Sequence, residues 1–257
     1  MAKRKIIGII PARYSSKRLP GKPLIPIDGK PLVQRVYEGA KGSSFLDRVI
    51  VATDSARISD VVYGFGGEAF LSLRRHPTGT DRVAEVVRNL NYDWVVNIQC
   101  DQPFLNPKMI DDLVASMYKG RNLLMGTLAR KIDDPQKLKN PNVVKVVSDQ
   151  KGFALYFSRF PIPYLRDPHR SAGFNKIDLK RSLYYEHIGI YVFRKDFLSK
   201  FASWGQTPLE RYEKLEQLRA LENGYKIKVC ITKHQSFTID VPSDLIKLKR
   251  QKKRKSR

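Results

Sequence analysis

KIIGIIPARYSSKRLPGKPLIPIDGKP, residues 5–31, is the stretch on which the fold turns. Residues 5–10 are a short β-branched apolar run that suits a strand buried on both faces, as in a parallel sheet. A polar turn follows at once. Between Pro11 and Pro23 the chain sets Arg13, Lys17, Arg18 and Lys22 among Ser15, Ser16 and Gly21. Several cations and free backbone N–H groups thus lie just past a strand end, where open α/β sheets take their ligands, and this composition suits a polyphosphate. A solvated basic loop is the other reading of these four charges.

Two formal motifs are excluded. No glycine stands five residues before Gly21, and Pro23 sits where a P-loop needs Ser or Thr, so the turn is not a Walker A loop. Gly64, Gly66 and Ala69 match the loose dinucleotide pattern, but in the wrong context, after a predicted helix and before a predicted strand.

Outward from this stretch, strands and helical patterns alternate, the mark of a layered α/β domain with a largely parallel sheet. Strands are predicted at 5–10, 48–52, 68–71, 94–99 and 123–128. Helices are predicted from Pro31 through Tyr37, from a Ser55 cap to Tyr63, over 80–88, and over 108–118 after the Asn106-Pro107 start signal. From Asn142 closely spaced strands at 143–147, 153–157 and 187–193 read as an inserted antiparallel piece. A helix over 211–223 stopped by Gly224, strands at 226–231 and 237–241, and a last helix capped by Ser243 complete the pattern.

Composition narrows the class. With 257 residues, 42% of them apolar, the chain is able to bury roughly 70 to 75% of its unfolded surface. No apolar run approaches the roughly 20 residues that span a bilayer, and the start MAKRK leads into no signal peptide. Cys100 and Cys230 are far apart, and His76, His169, His187 and His234 are scattered. This excludes a disulfide framework and a zinc motif, and points to a reducing cytoplasm. The formal charge is +23, and eight of the eleven residues 247–257 are Lys or Arg. Such a tail adheres to polyanions without a fold, which keeps open a second class, a nucleic-acid-binding protein, although no zinc finger or RNP signature is present.

Two carboxylates stand out. Asp101 follows the predicted strand 94–99 and Asp240 follows the apolar run 237–239; each is either a turn cap or half of a site for a hard cation with oxygen ligands. Cys100 has no histidine partner in the pattern and reads as a packed thiol.

The ordered blocks PARYSSKRLPGKPL, PTGTDR, NIQCDQP, ALYFSR, HIGIYVFR, LEQLRALENG and IDVPSDL, spread from about Ile6 to Leu248, resemble the 3-deoxy-manno-octulosonate cytidylyltransferases, or CMP-Kdo synthetases. The resemblance implies a Rossmann-like three-layer α/β nucleotidyltransferase fold with a mostly parallel mixed sheet. It implies one domain over 1–248, with 142–192 as an antiparallel dimerisation insert and 249–257 as a basic tail. The implied enzyme joins CTP to the sugar acid Kdo, releases pyrophosphate, depends on Mg2+, serves lipopolysaccharide synthesis and is a cytoplasmic homodimer. On the nucleotide side it implies Arg13 and Lys22 on the phosphates, supported by Ser15 and Ser16, with Thr78, Gly79, Thr80 and Arg82 along cytosine. Gln99 is implied for both substrates; Arg159, His187, Glu216 and Gln217 for the sugar acid; Asp101 and Asp240 for magnesium. Arg13, Lys22, Asp101 and Asp240 would form the catalytic set. Where the family typically reads QGDEP, this chain has Gln99, Cys100, Asp101, Gln102 and Pro103. That change leaves amino-Kdo as a rival acceptor; an enzyme activating another sugar acid, such as a sialic acid, is the closest other reading, and transfer to a sugar 1-phosphate a more distant one.

Overall fold

The opening isoleucines behave as their pattern demands. Ile6, Ile7, Ile9 and Ile10 are at most 1% exposed, a burial of about 2 kcal/mol apiece, and they build β1 (Ile6–Ala12). The computed structural model describes residues 4–15, 19–72, 74, 76–120, 122–166, 183–235, 237–246 and 248. Ser16, Lys17, Arg18 and the tail 249–257 lie outside the described residues. The chain divides into two compact units, Met1–Ile110 with Ser236–Arg257, and Asp111–Gln235.

In the first unit, the basic turn after β1 ends in a 3-10 turn, Lys22–Leu24. Gly21 caps it at φ 67, a left-handed conformation that glycine adopts without steric cost. A miniature hairpin follows, β2 (Pro26–Ile27) and β3 (Lys30–Pro31). Asp28 and Gly29 form its turn with φ 49 and φ 77, the pairing that tight hairpins favour. Then come α1 (Leu32–Lys41), β4 (Arg48–Thr53), α2 (Ala56–Gly64), β5 (Ala69–Leu71), α3 (Gly79–Val87) and β6 (Trp94–Ile98). The four longer strands run parallel in the order β6, β1, β4, β5. β1 is therefore flanked on both sides, which accounts for its unbroken apolar run. Their C-terminal ends deliver Arg13, Asp54 and Gln99 to one edge. Helix α4 (Pro107–Lys119) starts where Asn106 Oδ1 accepts from the Lys108 amide at 3.0 Å.

The second unit contains β7 (Met125–Lys131), α5 (Pro135–Lys139), β8 (Lys145–Ser148), β9 (Ala154–Ser158), β10 (Tyr185–Arg194), α6 (Lys195–Ser203), α7 (Pro208–Glu213), α8 (Leu218–Glu222) and β11 (Lys228–Ile231). β7 pairs in parallel with β11 and antiparallel with β10. β8 is antiparallel to both β9 and β10, the antiparallel piece expected from 142 onward. α6, which the sequence pattern did not mark, packs Phe197 and Phe201 against Phe193 and Trp204.

Three expectations change. The helix over 211–223 is broken, because Lys214 turns left-handed at φ 54 between α7 and α8. The segment 237–241 is no strand: among the described residues its one long-range backbone bond runs from the Ile239 N–H to the Asp101 carbonyl at 2.9 Å, and it forms no ladder. The last helix, 242–246, is capped by Asp244, whose carboxylate accepts from the Asp240 and Val241 amides at 2.9 and 3.1 Å, and not by Ser243.

Candidate active site

The basic turn and the two remote aspartates meet in the first unit. Lys22 Nζ lies 3.4 Å from Asp101 Oδ2 and 3.3 Å from Asp240 Oδ1. All three side chains are mostly sheltered, at 13%, 22% and 24% exposure, so their charges act with little screening. Local geometry brings them there. Lys22 is fixed by the turn at Gly21, Asp101 follows β6 by three residues, and Asp240 is held beside it by the Ile239–Asp101 backbone bond. Two carboxylates facing one point are a fitting donor set for a hard cation that keeps part of its shell for water or phosphate oxygens. Among the described residues no group of three or more His, Cys, Asp or Glu forms a metal cage; two carboxylates suit magnesium better than zinc.

Around this cluster, Arg13 follows β1 directly and Ser15 is exposed. Thr78 caps α3 through a reciprocal box: its hydroxyl accepts from the Asp81 amide at 3.2 Å, and Asp81 Oδ2 accepts from the Thr78 amide at 2.9 Å and from its hydroxyl at 2.8 Å. Gly79 opens the helix, and Thr80 Oγ1, buried, accepts from Asn97 Nδ2 at 2.9 Å. Gln99 Nε2 donates to Asn97 Oδ1 at 3.4 Å. Arg82 turns inward and pairs with Asp54. Cys100 is buried, and that burial pushes its thiol up to about 12, so it stays protonated and is no nucleophile. Gln102 is also buried, and its Oε1 has no hydrogen-bond partner among the described residues.

In the second unit, His187, Tyr191 and Gln217 meet. The His187 ring stands 5.5 Å from that of Tyr191, and its Nε2 is 2.9 Å from Thr127 Oγ1. Tyr191 donates its hydroxyl to Gln217 Oε1 at 3.0 Å. Burial lowers His187 to about 3 and raises Tyr191 well above its ordinary value, with the Glu216 charge adding to the latter. Both rings are therefore neutral at pH 7, suited to hydrogen bonding and not to proton transfer. Gln217 Nε2 is buried with no partner among the described residues, a donor in reserve for a hydroxyl or carboxylate. Tyr191 escaped the sequence reading, although a two-residue strand period sets it on the face of His187.

Arg159 is engaged elsewhere. Its guanidinium donates to the carbonyls of Glu213, Pro141 and Lys214 at 2.6, 3.0 and 3.4 Å, and its amide to Glu213 Oε2 at 2.9 Å. Beside it, Lys145 is fully buried and donates to the carbonyls of Asn140, Val143 and Arg159 at 3.0, 2.6 and 2.5 Å. Burial brings this ammonium down to about 8.

Several known proteins are close to this chain in sequence and fold. A family model described as cytidylyltransferase matches residues 7–227. The chain is 49% identical over 243 residues to the 3-deoxy-manno-octulosonate cytidylyltransferase of Syntrophotalea carbinolica, covering 95% of this chain and 96% of that protein. It is likewise 49% identical over 250 residues to the 3-deoxy-manno-octulosonate cytidylyltransferase of Geotalea uraniireducens, covering 97% of this chain and 100% of that one. A solved structure of CMP:2-keto-3-deoxy-manno-octonic acid synthetase complexed with CTP superposes with a TM-score of 0.86 at 36% identity, over 98% of this chain and 99% of its own.

Proposed function

Because the chain belongs to the cytidylyltransferase family, and within it to the 3-deoxy-manno-octulosonate cytidylyltransferases, we propose that it joins CTP to Kdo, giving CMP-Kdo and pyrophosphate. The anomeric hydroxyl of Kdo forms a new bond to the α-phosphorus as the bond to the β-phosphate oxygen breaks. Such a transfer is accelerated mainly by positioning and by charge placed around the phosphates. The supporting observation is the convergence of Lys22, Asp101 and Asp240 from three remote segments.

In the first unit, Arg13, Lys22 and Ser15 serve the triphosphate, and the first turn of α3 with Gln99 serves the nucleoside. Asp101 and Asp240 would hold magnesium, whose charge offsets that of the phosphates and of the entering oxygen. In the second unit, His187, Tyr191, Glu216 and Gln217 present neutral and acceptor groups suited to a polyhydroxylated acid. Arg159 braces the turn before Glu216 and Gln217 through its carbonyl contacts.

The reading extends to a cytoplasmic enzyme of lipopolysaccharide synthesis that works as a homodimer. Among the described residues no helix is long and apolar enough to cross a membrane. Leu155, Phe160 and Leu183 on the second unit are 63%, 73% and 69% exposed; so much apolar surface suits a self-association face. The basic tail is assigned salt-dependent polyanion binding, separable from catalysis by truncation after Leu248.

The deciding assay is pyrophosphate release with each of the four nucleoside triphosphates, tested with Kdo, amino-Kdo and sialic acid. CTP with Kdo is expected to be the fastest pair. Turnover only with amino-Kdo or sialic acid, or only with a sugar 1-phosphate, would reassign the acceptor.

A further inference from the structure

Behind the basic turn lies an ion pair that the proposed chemistry does not itself require. Arg82 is only 1% exposed, and its guanidinium donates to Asp54 Oδ2 at 2.8 Å and to the Ala12 carbonyl at 3.5 Å. The other oxygen of the same carboxylate, Asp54 Oδ1, accepts from the backbone amide of Tyr14 at 3.4 Å. One ion pair therefore touches the backbone on both sides of Arg13. The chain of contacts continues, because the Tyr14 carbonyl accepts from the Gly21 amide at 2.9 Å, and Gly21 immediately precedes Lys22. The Tyr14 side chain is held as well: Arg57 Nη1 donates to its hydroxyl at 3.1 Å, and that guanidinium lies 5.8 Å from its ring centre.

These contacts have a charge logic. Burial pushes the Asp54 carboxyl up, but the hydrogen bond and charge of Arg82 outweigh it and leave the group below the usual carboxylate range. Asp54 is thus ionised at neutral pH, and the buried guanidinium is paired. A buried pair of this kind is a weak source of stability but a strong fixer of geometry. A cationic turn left loose would have to be ordered when the triphosphate binds, and prior bracing removes that cost.

We propose that Asp54 is a positioning residue for the nucleotide: together with Arg82 it fixes the backbone on either side of Arg13 and, through Tyr14 and Gly21, the turn that carries Lys22. This rests on the reading of Arg13 and Lys22 as triphosphate ligands. Arg82 works from inside the fold, through Asp54 and Ala12. The signature is selective, since the brace touches only the nucleotide side. Its loss displaces cations by a fraction of an ångström to an ångström, a scale on which rate and binding terms change roughly 10- to 100-fold.

The test compares Asp54→Asn and Asp54→Glu with the unaltered full chain, reading kcat, KM for CTP and KM for Kdo separately. Asp54→Asn should raise KM for CTP roughly 10- to 100-fold while KM for Kdo stays within about twofold, and Asp54→Glu should recover most of the loss. A merely structural role lowers the active fraction and leaves KM for CTP alone. Should Asp54→Asn fail to fold with Arg82 unpaired, the double variant Asp54→Asn with Arg82→Gln replaces both charges by amides and carries the same expectation. A readout that needs no variant is amide hydrogen exchange in the unaltered protein without CTP, where the Tyr14 and Gly21 amides should both be protected. A folded variant with KM for CTP within twofold, an equal rise in both KM values, or freely exchanging Tyr14 and Gly21 amides would overturn the proposal. If the unaltered protein releases no pyrophosphate from CTP with Kdo, the activity itself is refuted; if it does and only KM for CTP is unmoved, the brace alone fails.

Discussion

The polar groups of the two units solve opposite problems. In the first unit, full charges gather on turns at the ends of parallel strands, and one ammonium faces two carboxylates at 3.4 and 3.3 Å. In the second, on the face of β10, neutral groups are locked to one another: Thr127 to His187, and Tyr191 to Gln217. The first arrangement suits a ligand that is itself a dense charge, where the attraction is long-ranged and tolerant of angle. The second suits a ligand with many hydroxyls, where direction counts and a misplaced or missing group leaves a buried donor unpaired. Charge that suits a nucleotide in one unit and directed hydrogen bonds that suit a sugar in the other are the lesson of the difference.

The contrast breaks most visibly at the carboxylates. Asp101→Asn or Asp240→Asn is expected to lower kcat roughly 10²- to 10³-fold with little change in thermal stability, since neither side chain is fully buried. Near-normal turnover in both variants would remove the metal assignment.

Lys145 sharpens it from the other side, as a cation of the second unit that holds backbone and no ligand. Lys145→Met takes the ammonium from three carbonyls, of which that of Asn140 keeps the Val143 amide, and should destabilise the protein by about 3 kcal/mol, or roughly 6 to 12 °C in Tm. A pH effect accompanies it. The ammonium titrates at about 8 in the folded protein, against an ordinary 10.5. Between those values the unfolded chain binds the extra proton, so this residue's contribution to stability rises with pH from 8 to 10.5 and is constant below 8. Denaturation of wild type and Lys145→Met at pH 7.5 to 10 should show the gap between them changing in that direction, and parallel curves would contradict it.

The smallest effect is expected at Gln217. Its amide nitrogen is the unpaired donor, so Gln217→Leu should raise KM for Kdo roughly tenfold and leave KM for CTP unchanged. An equal effect on both substrates would erase the distinction between the units.

Legibility followed the same division. β1, β4 and β6 were readable because strands buried on both faces need continuous apolar runs, and the turn at Gly21 because its cations stand at a strand end. The pairing of Asp101 with Asp240 was not readable from spacing, since a single backbone bond from Ile239 brings them together, and no periodicity records one bond. The break at Lys214 was hidden for a similar reason. Leu215, Leu218 and Leu221 keep helical spacing, while the Arg159 contacts that accompany the break come from a segment more than fifty residues away. Asp54 was invisible as a site residue because its partner, Arg82, was implied along cytosine, and nothing in the spacing shows that Arg82 turns inward to pair with Asp54.

The measurement that bears most directly on the account is calorimetric titration of CTP, with and without magnesium, into wild type and into the Asp101→Asn, Asp240→Asn double variant. Magnesium should tighten CTP binding to wild type and leave the double variant's affinity unaffected. The same magnesium dependence in both proteins would show that these two carboxylates are not where the metal and the triphosphate meet.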